Sequence, residues 1–481
     1  MPRAAIVSSG NGMNRFTQKL ISTWAGLGTR FLPFADAATA DLPLPRLLRL
    51  SLFQVSVGMA ITLLIGTLNR VMIVELDVPA SLVAIMISLP LLFAPFRAII
   101  GFRSDTHHSA LGWKRVPFIW QGSMVQFGGL AIMPFALIVL AGLGNSAHLP
   151  VAVGRLGAGL AFLLVGAGLH TTQTVGLALA TDLAPAESQP KVVGLMYVML
   201  LVGMIVSALL FGHLLADFTP GRLIQVVQGA AVATLFLNTI ALWKQESRNP
   251  NRGASTSVQK DPTFQESWAR FTSGGNALRR LLAVGLGTMA FSMEDVLLEP
   301  YGGQVLHLTV GSTTRLTATL AAGGLFGFAL ASKVLSRGFD PFRMAVYGAM
   351  VGAPGFVLVI IAAPTEIPAM FALGTLLIGF GGGLFGHGTL TATMNQAPES
   401  QRGLALGAWG AVQASAAGIA VAAGGIIRDV VAARSPGLPA AGYNTVYLIE
   451  IAFLIATMLS MAPLLGQSTV GAVALDPSGE T

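Results

Sequence analysis

From Leu52 onward the chain is a succession of long apolar runs separated by short polar stretches. A helix that crosses the hydrocarbon core of a bilayer needs about 20 consecutive, mostly apolar residues. By that measure the first spans fall near 52–74, 81–100, 117–140, 156–180, 193–214 and 223–242. The pattern then breaks: residues 243–280 carry seven Lys or Arg among Gly, Ser and other polar residues, which predicts a solvated loop. Within it, Phe264, Trp268 and Phe271 mark one face of a short interfacial helix. A second set of runs follows near 281–298, 316–335, 344–363, 367–391, 404–427 and 447–465.

The predicted architecture is therefore an all-α integral membrane protein of twelve transmembrane helices in a 6+6 arrangement. Its parts are an N-terminal segment (1–50), a first six-helix half (51–242), a linker (243–280), a second half (281–466) and a C-terminal tail (467–481). Ahead of the first span, Phe16, Leu20, Trp24, Leu27 and Phe31 recur at spacings of four, four, three and four, with Arg15, Lys19 and Arg30 nearby. That spacing predicts an amphipathic helix lying in the membrane interface, or else a partner-docking or disordered arm. No basic flank, apolar core and cleavage site precede it, so the N-terminus is expected in the cytoplasm.

Composition agrees with lipid as the solvent: 53% of residues are hydrophobic, 10% are charged, and the mean hydropathy is +0.71. The 57 glycines suit close helix packing in a membrane. With no cysteine, disulfides, thiolate metal sites and cysteine nucleophiles are excluded. The net charge of +7 follows topology. With both termini cytoplasmic, only Arg70, Arg155, Arg222, Arg315, Arg428 and Arg434 of the 28 Lys and Arg fall on the far side. Nucleic acid is therefore not an expected partner; the lipid bilayer is.

An internal repeat supports two related halves. Ala180-Thr181 with Glu187-Ser188-Gln189 recurs as Ala392-Thr393 with Glu399-Ser400-Gln401, at the cytoplasmic ends of the fourth and tenth spans. Between the second and third spans, Gly101, Asp105, Gly112, Lys114 and Arg115 resemble the signature loop of the major facilitator superfamily. The match is partial: Thr106 stands where an Arg usually follows the Asp, and the loop is longer. Asp105 can equally cap a helix or pair with Lys114.

Ionisable groups inside a span are costly and tend to face the bundle interior. The densest set is Glu294, Asp295 and Glu299 on the seventh span, just before Pro300 and the Gly302-Gly303 pair, which predict a kink or a broken end there. Asp295 and Glu299, four apart, are expected on one face. They suit carrying a proton, holding a cation or a Mg-bearing ligand, or accepting bonds from a partner helix; the plainer alternative is a structural ion pair with Arg70 or Arg97. Three histidines lie in or at the ends of spans: His170 (near Gln173), His213 and His387. Neutral imidazole is an axial ligand for a metal, and Gly379, Gly381, Gly382, Gly383, Gly386 and Gly388 strip side chains from the helix around His387. A flat macrocycle needs such a face; so does close helix packing, and a membrane histidine also commonly bonds only to a neighbour. No Gly-rich phosphate loop, His-Glu-x-x-His or Gly-x-Ser-x-Gly elbow occurs, so no enzymatic activity is expected.

Several stretches together resemble the PucC/LhaA group, the bacteriochlorophyll-delivery branch of the major facilitator superfamily. They are Leu50 to Met59, Gly66-Thr67-Leu68-Asn69-Arg70-Val71-Met72, Leu91 to Arg97 running into Gly101-Phe102-Arg103-Ser104-Asp105-Thr106-His107, and the segments around His170 and Glu294. The resemblance implies an assembly factor for light-harvesting complexes in the photosynthetic inner membrane of a bacterium. It would bring Mg-centred bacteriochlorophyll, as transient cargo, to antenna α and β polypeptides. The residues alone leave two alternatives open: a proton-coupled transporter using Glu294, Asp295 or Glu299, and a pigment-free scaffold for antenna helices.

Overall fold

A computed structural model describes residues 34–39, 42–92, 97, 100, 103–104, 113–142, 148, 150–185, 188–246, 276–396 and 402–465. The interfacial helix expected around Trp24, Gly101, Asp105 and Gly112 of the signature loop, nearly all of the central linker and the C-terminal tail lie outside them. So do Glu187 and the Glu399 to Gln401 half of the repeat.

Among the described residues twelve helices form the bundle: α1 (Leu44–Glu75), α2 (Ala80–Leu92), α3 (Val116–Leu140), α4 (Val151–Leu183), α5 (Gln189–Leu214), α6 (Pro220–Leu242), α7 (Ala277–Gln304), α8 (Val310–Leu335), α9 (Pro341–Thr365), α10 (Pro368–Gln396), α11 (Arg402–Arg434) and α12 (Ala441–Met461). Among the described residues eleven of them are long and apolar enough to cross a bilayer, and α2 is the shorter one. The protein is thus a multi-pass, all-α membrane protein. Phe135, Leu156, Val232, Phe236, Phe326 and Leu459 project outward from the bundle. Such an apolar outer face would be a liability in water and is what lipid requires.

The packing repeats when six is added to each helix number. α1 packs on α5 as α7 does on α11, α2 on α4 as α8 on α10, α3 on α4 as α9 on α10, and α3 on α6 as α9 on α12. The two halves meet along α2 with α11 and along α5 with α8, contacts that the same rule exchanges. Small residues set these approaches. A Cβ on Gly168 of α4 would fall 2.3 Å from the Gln126 nitrogen of α3, and one on Gly58 of α1 would fall 2.5 Å from the Leu200 oxygen of α5.

Two helices depart from α geometry, and they face each other across the interior. α1 changes to wider π-helical turns over Thr62–Leu68 and Val71–Glu75. α7 stops at Ala290, makes a single 3-10 turn at Glu294–Val296 and resumes at Leu298–Gln304. The sequence placed this interruption at Pro300. Instead Pro300 sits in the first turn of the resumed helix, where its missing N–H has no partner to lose and its fixed φ suits helix entry.

Candidate functional site

Where α7 breaks, its backbone loses intrahelical partners, and two side chains from other helices supply them. The Asn69 amide of α1 donates to the Asp295 and Val296 carbonyls, both at 3.3 Å. On the opposite side, the Glu450 carboxylate of α12 accepts the Glu294 N–H at 2.6 Å. Three carboxylates are buried at the break: Glu294 and Glu299 of α7 are 2% and 4% exposed, and Glu450 of α12 is fully buried. Asp295 and Glu299 no longer share one regular helix, because the turn at Leu297 lies between them. Even so, both border one small cavity of about 170 Å³ together with Glu294, Thr317, Ile61 at the end of the α-helical part of α1 and Ile65 in its π-helical turns. The Thr317 hydroxyl of α8 donates to Glu299.

A larger cavity, of about 330 Å³, lies between the halves. Tyr197 and Leu200 of α5, Phe328 of α8, and Trp409 and Gln413 of α11 wall it, and Glu294 with Asp295 border it from α7. α10 closes it with Gly379, Gly382, Gly383 and Gly386, and its glycines divide by what the neighbouring helices place against them. Gly379 and Gly383, four apart, press on α8: an added Cβ would fall 2.0 Å from the Leu320 oxygen and 2.4 Å from the Gly324 oxygen. Gly381 and Gly388 press likewise on α9. Gly382 and Gly386, again four apart, face the cavity. A Cβ on Gly382 would meet only the Phe291 ring, at 3.7 Å, and one on Gly386 would meet nothing within 4 Å.

None of the three histidines lines this cavity. His387 points beside it, with its ring centroid 4.2 Å from Phe328 and 6.1 Å from Phe34, and its Nδ1 is buried without a hydrogen-bond partner. His170 lies on α4, also with an unpartnered Nδ1, one turn before the Gln173 and Thr174 side chains that bind Arg97. His213 is exposed at the end of α5. The six glycines and three histidines are therefore not one site: Gly379, Gly382, Gly383 and Gly386 border the central cavity, Gly381 and Gly388 pack on α9, and His387 packs against Phe328 outside the cavity lining.

Neither arginine pairs with the α7 carboxylates. Arg70, 3% exposed, forms its ion pair with Glu75 and donates to the Leu308 carbonyl at 3.0 Å. Arg97 donates through Nε to Thr174 at 2.9 Å and through an Nη to Gln173 at 3.1 Å. At the signature loop, the Lys114, Arg115 and Val116 amides all donate to the Glu246 carboxylate, which caps α3 from the end of α6. Arg115 also donates to Asp182 of α4 at 2.9 Å, and Lys114 lies 4.0 Å from the same carboxylate.

Sequence reasoning overlooked Glu450, Glu246, Asn69 as a support for α7, and the aromatic wall of Tyr197, Phe328 and Trp409. For Glu450 the signal was present, since a lone carboxylate in the apolar α12 run is as costly as those on α7.

The family model described as "PUCC protein" matches residues 67–469. A "Protein PucC" of Rhodovulum sulfidophilum is 62% identical over 430 residues, covering 89% of this chain and 95% of that protein. The "Protein PucC" of Cereibacter sphaeroides is 60% identical over 457 residues, covering 94% and 98%. A more distant relative, 27% identical over 86% of this chain and 94% of its own, is the "Bacteriochlorophyll synthase 44.5 kDa chain" of Rhodobacter capsulatus. Among solved structures, a D-xylose–proton symporter superposes with a TM-score of 0.69 at 16% identity, covering 88% of this chain and 98% of its own. A bacterial homologue of the lysosomal transporter Spinster, inward-facing and unoccupied, gives 0.63 at 16% identity, covering 86% and 95%. At such identities the likeness concerns the fold, which is that of the major facilitator transporters.

Proposed function

From the premise that this chain belongs to the PUCC protein family, we propose that it acts in bacterial photosynthesis as an assembly factor for light-harvesting antenna complexes. In this reading it takes up bacteriochlorophyll in the central cavity and releases it to antenna α and β polypeptides, in the photosynthetic inner membrane with both termini cytoplasmic.

The observation that carries the reading is the wall made by Gly382 and Gly386. Two positions one helical turn apart present bare backbone to a cavity whose other sides are the Tyr197, Phe291, Phe328 and Trp409 rings. A flat, apolar, aromatic cargo is favoured by such a slot, because ring faces stack on it and no side chain has to be displaced. The cavity is at the lower end of the size range for ligand sites, so a macrocycle with a long tail would lie partly within it, the tail running out toward lipid. Magnesium is a hard cation that prefers oxygen donors, and the cavity wall supplies them from Gln413, Tyr197, Glu294 and Asp295. His387 would reach such a cargo only after Phe328 moved.

The test is a strain lacking the protein. The reading expects depletion of an antenna complex while bacteriochlorophyll synthesis and growth without light continue; an unaltered antenna content would overturn it. A second reading, a proton-coupled carrier of a small solute, is favoured by the two carboxylates on the cavity wall. It expects proteoliposomes to move a solute with a pH gradient, and Glu294→Gln or Asp295→Asn to uncouple that movement.

A further inference from the structure

Four carboxylates, Glu294, Asp295 and Glu299 of α7 and Glu450 of α12, gather around the α7 break in the interior of a membrane protein. Among the described residues none of them forms an ion pair with a Lys, Arg or His. One oxygen each of Glu294, Glu299 and Glu450 is buried with no hydrogen-bond partner, and the oxygens of Glu294 and Glu299 belong to side chains bordering the small cavity. The groups around them are accounted for. Arg70 of α1 is held by Glu75; Arg428 of α11 is held by Asp429 and Gln304 and lies over the Tyr443 ring. α8 contributes Thr317, already donating to Glu299; α12 contributes Tyr447, whose buried hydroxyl has no partner; α5 contributes Tyr197 through the larger cavity.

Four ionised carboxylates without a counter-cation would be prohibitively costly in a medium of low dielectric constant. Something must supply positive charge, and a metal is not favoured, because no group of three or more His, Asp or Glu among the described residues is arranged to hold one. A proton needs no such cage: it turns an acceptor-only carboxylate into a hydrogen-bond donor, which is what the unpartnered oxygens lack. We propose that the α7 break is a proton-binding site that links the central cavity to the buried Glu299. Glu294 and Asp295 border both cavities, so they take a proton from water in the larger one. The smaller cavity has room for water, which carries the proton on to Glu299. In each transfer one O–H bond breaks and one forms, and no other reactant enters. The wider π-helical turns of α1 and the interrupted α7 are the distortions that accompany such sites in membrane helices.

Infrared spectroscopy of the full-length protein in lipid nanodiscs at neutral pH tests this without any cargo, so its outcome is separate from that of the pigment reading. The expected result is a protonated-carboxyl C=O band that shifts in deuterium oxide, is the same in sodium and choline chloride, and loses intensity in Glu294→Gln, Glu299→Gln or Glu450→Gln. Exposed carboxylates are ionised at this pH and do not contribute. A wild-type spectrum without the band, a band undiminished in all three variants, or a band abolished by sodium would each overturn the proposal.

Discussion

Phe34 packs edge-on toward His387, with ring centroids 6.1 Å apart, from a backbone in the left-handed region at φ 62°. An aromatic residue adopts that conformation only at a cost, so its surroundings must hold it there. They do: Gly194 of α5 leaves room for the ring, since a Cβ there would fall 2.8 Å from it, and Phe328 of α8 lies 5.9 Å away. The ring therefore wedges between the two halves beside the central cavity. Replacing it opens that edge. Because the chain has no cysteine, a single Gly386→Cys can report access, and maleimide labelling of that cysteine is expected to be several-fold faster when Phe34→Ala is added.

The glycines of α10 should separate into two classes by substitution. Gly383→Ala and Gly379→Ala force a methyl against the α8 backbone and are expected to cost about 1–3 kcal/mol of stability. Gly386→Ala points into open space and is expected to change stability by less than about 0.5 kcal/mol. Thermal unfolding in detergent distinguishes them.

Asn69→Ala removes the donor that satisfies two carbonyls at the α7 break. With those carbonyls buried and no replacement nearby, a loss of about 1–3 kcal/mol is expected. Asn69→Leu, which is close in size and has no donor at all, should lose at least as much. Unfolding of the two variants beside the wild type checks this.

Reporter fusions test the orientation that the charge asymmetry predicts. A fusion at Ser255 in the central linker should report a cytoplasmic location, and fusions at Asn145 and Thr365 a periplasmic one. A periplasmic signal at Ser255 would invert the assignment.

The helices were legible in the sequence because span length is dictated by bilayer thickness, and the two halves because the Ala-Thr repeat sits at equivalent ends of α4 and α10. The place of the α7 break was not. Proline marked a position that breaks a helix interior but is harmless in a first turn, and the true break depends on Asn69 and Glu450, which are remote in sequence. The glycine face was half legible. Gly379, Gly382, Gly383 and Gly386 follow the i, i+3, i+4, i+7 spacing of a single face, but which of them press on α8 and which meet open space is decided by the neighbouring helices. The chemistry of His387 is readable from the sequence, but its packing against Phe328, outside the cavity lining, is not.

Whether the Gly382 and Gly386 wall receives bacteriochlorophyll is decided by the absorption spectrum of the protein purified gently from pigmented membranes. A co-purifying bacteriochlorophyll band is expected, lost in well-inserted Gly382→Leu and Gly386→Leu proteins, whose side chains fill the slot. A pigment-free wild type, or a band of equal strength in both variants, would contradict it.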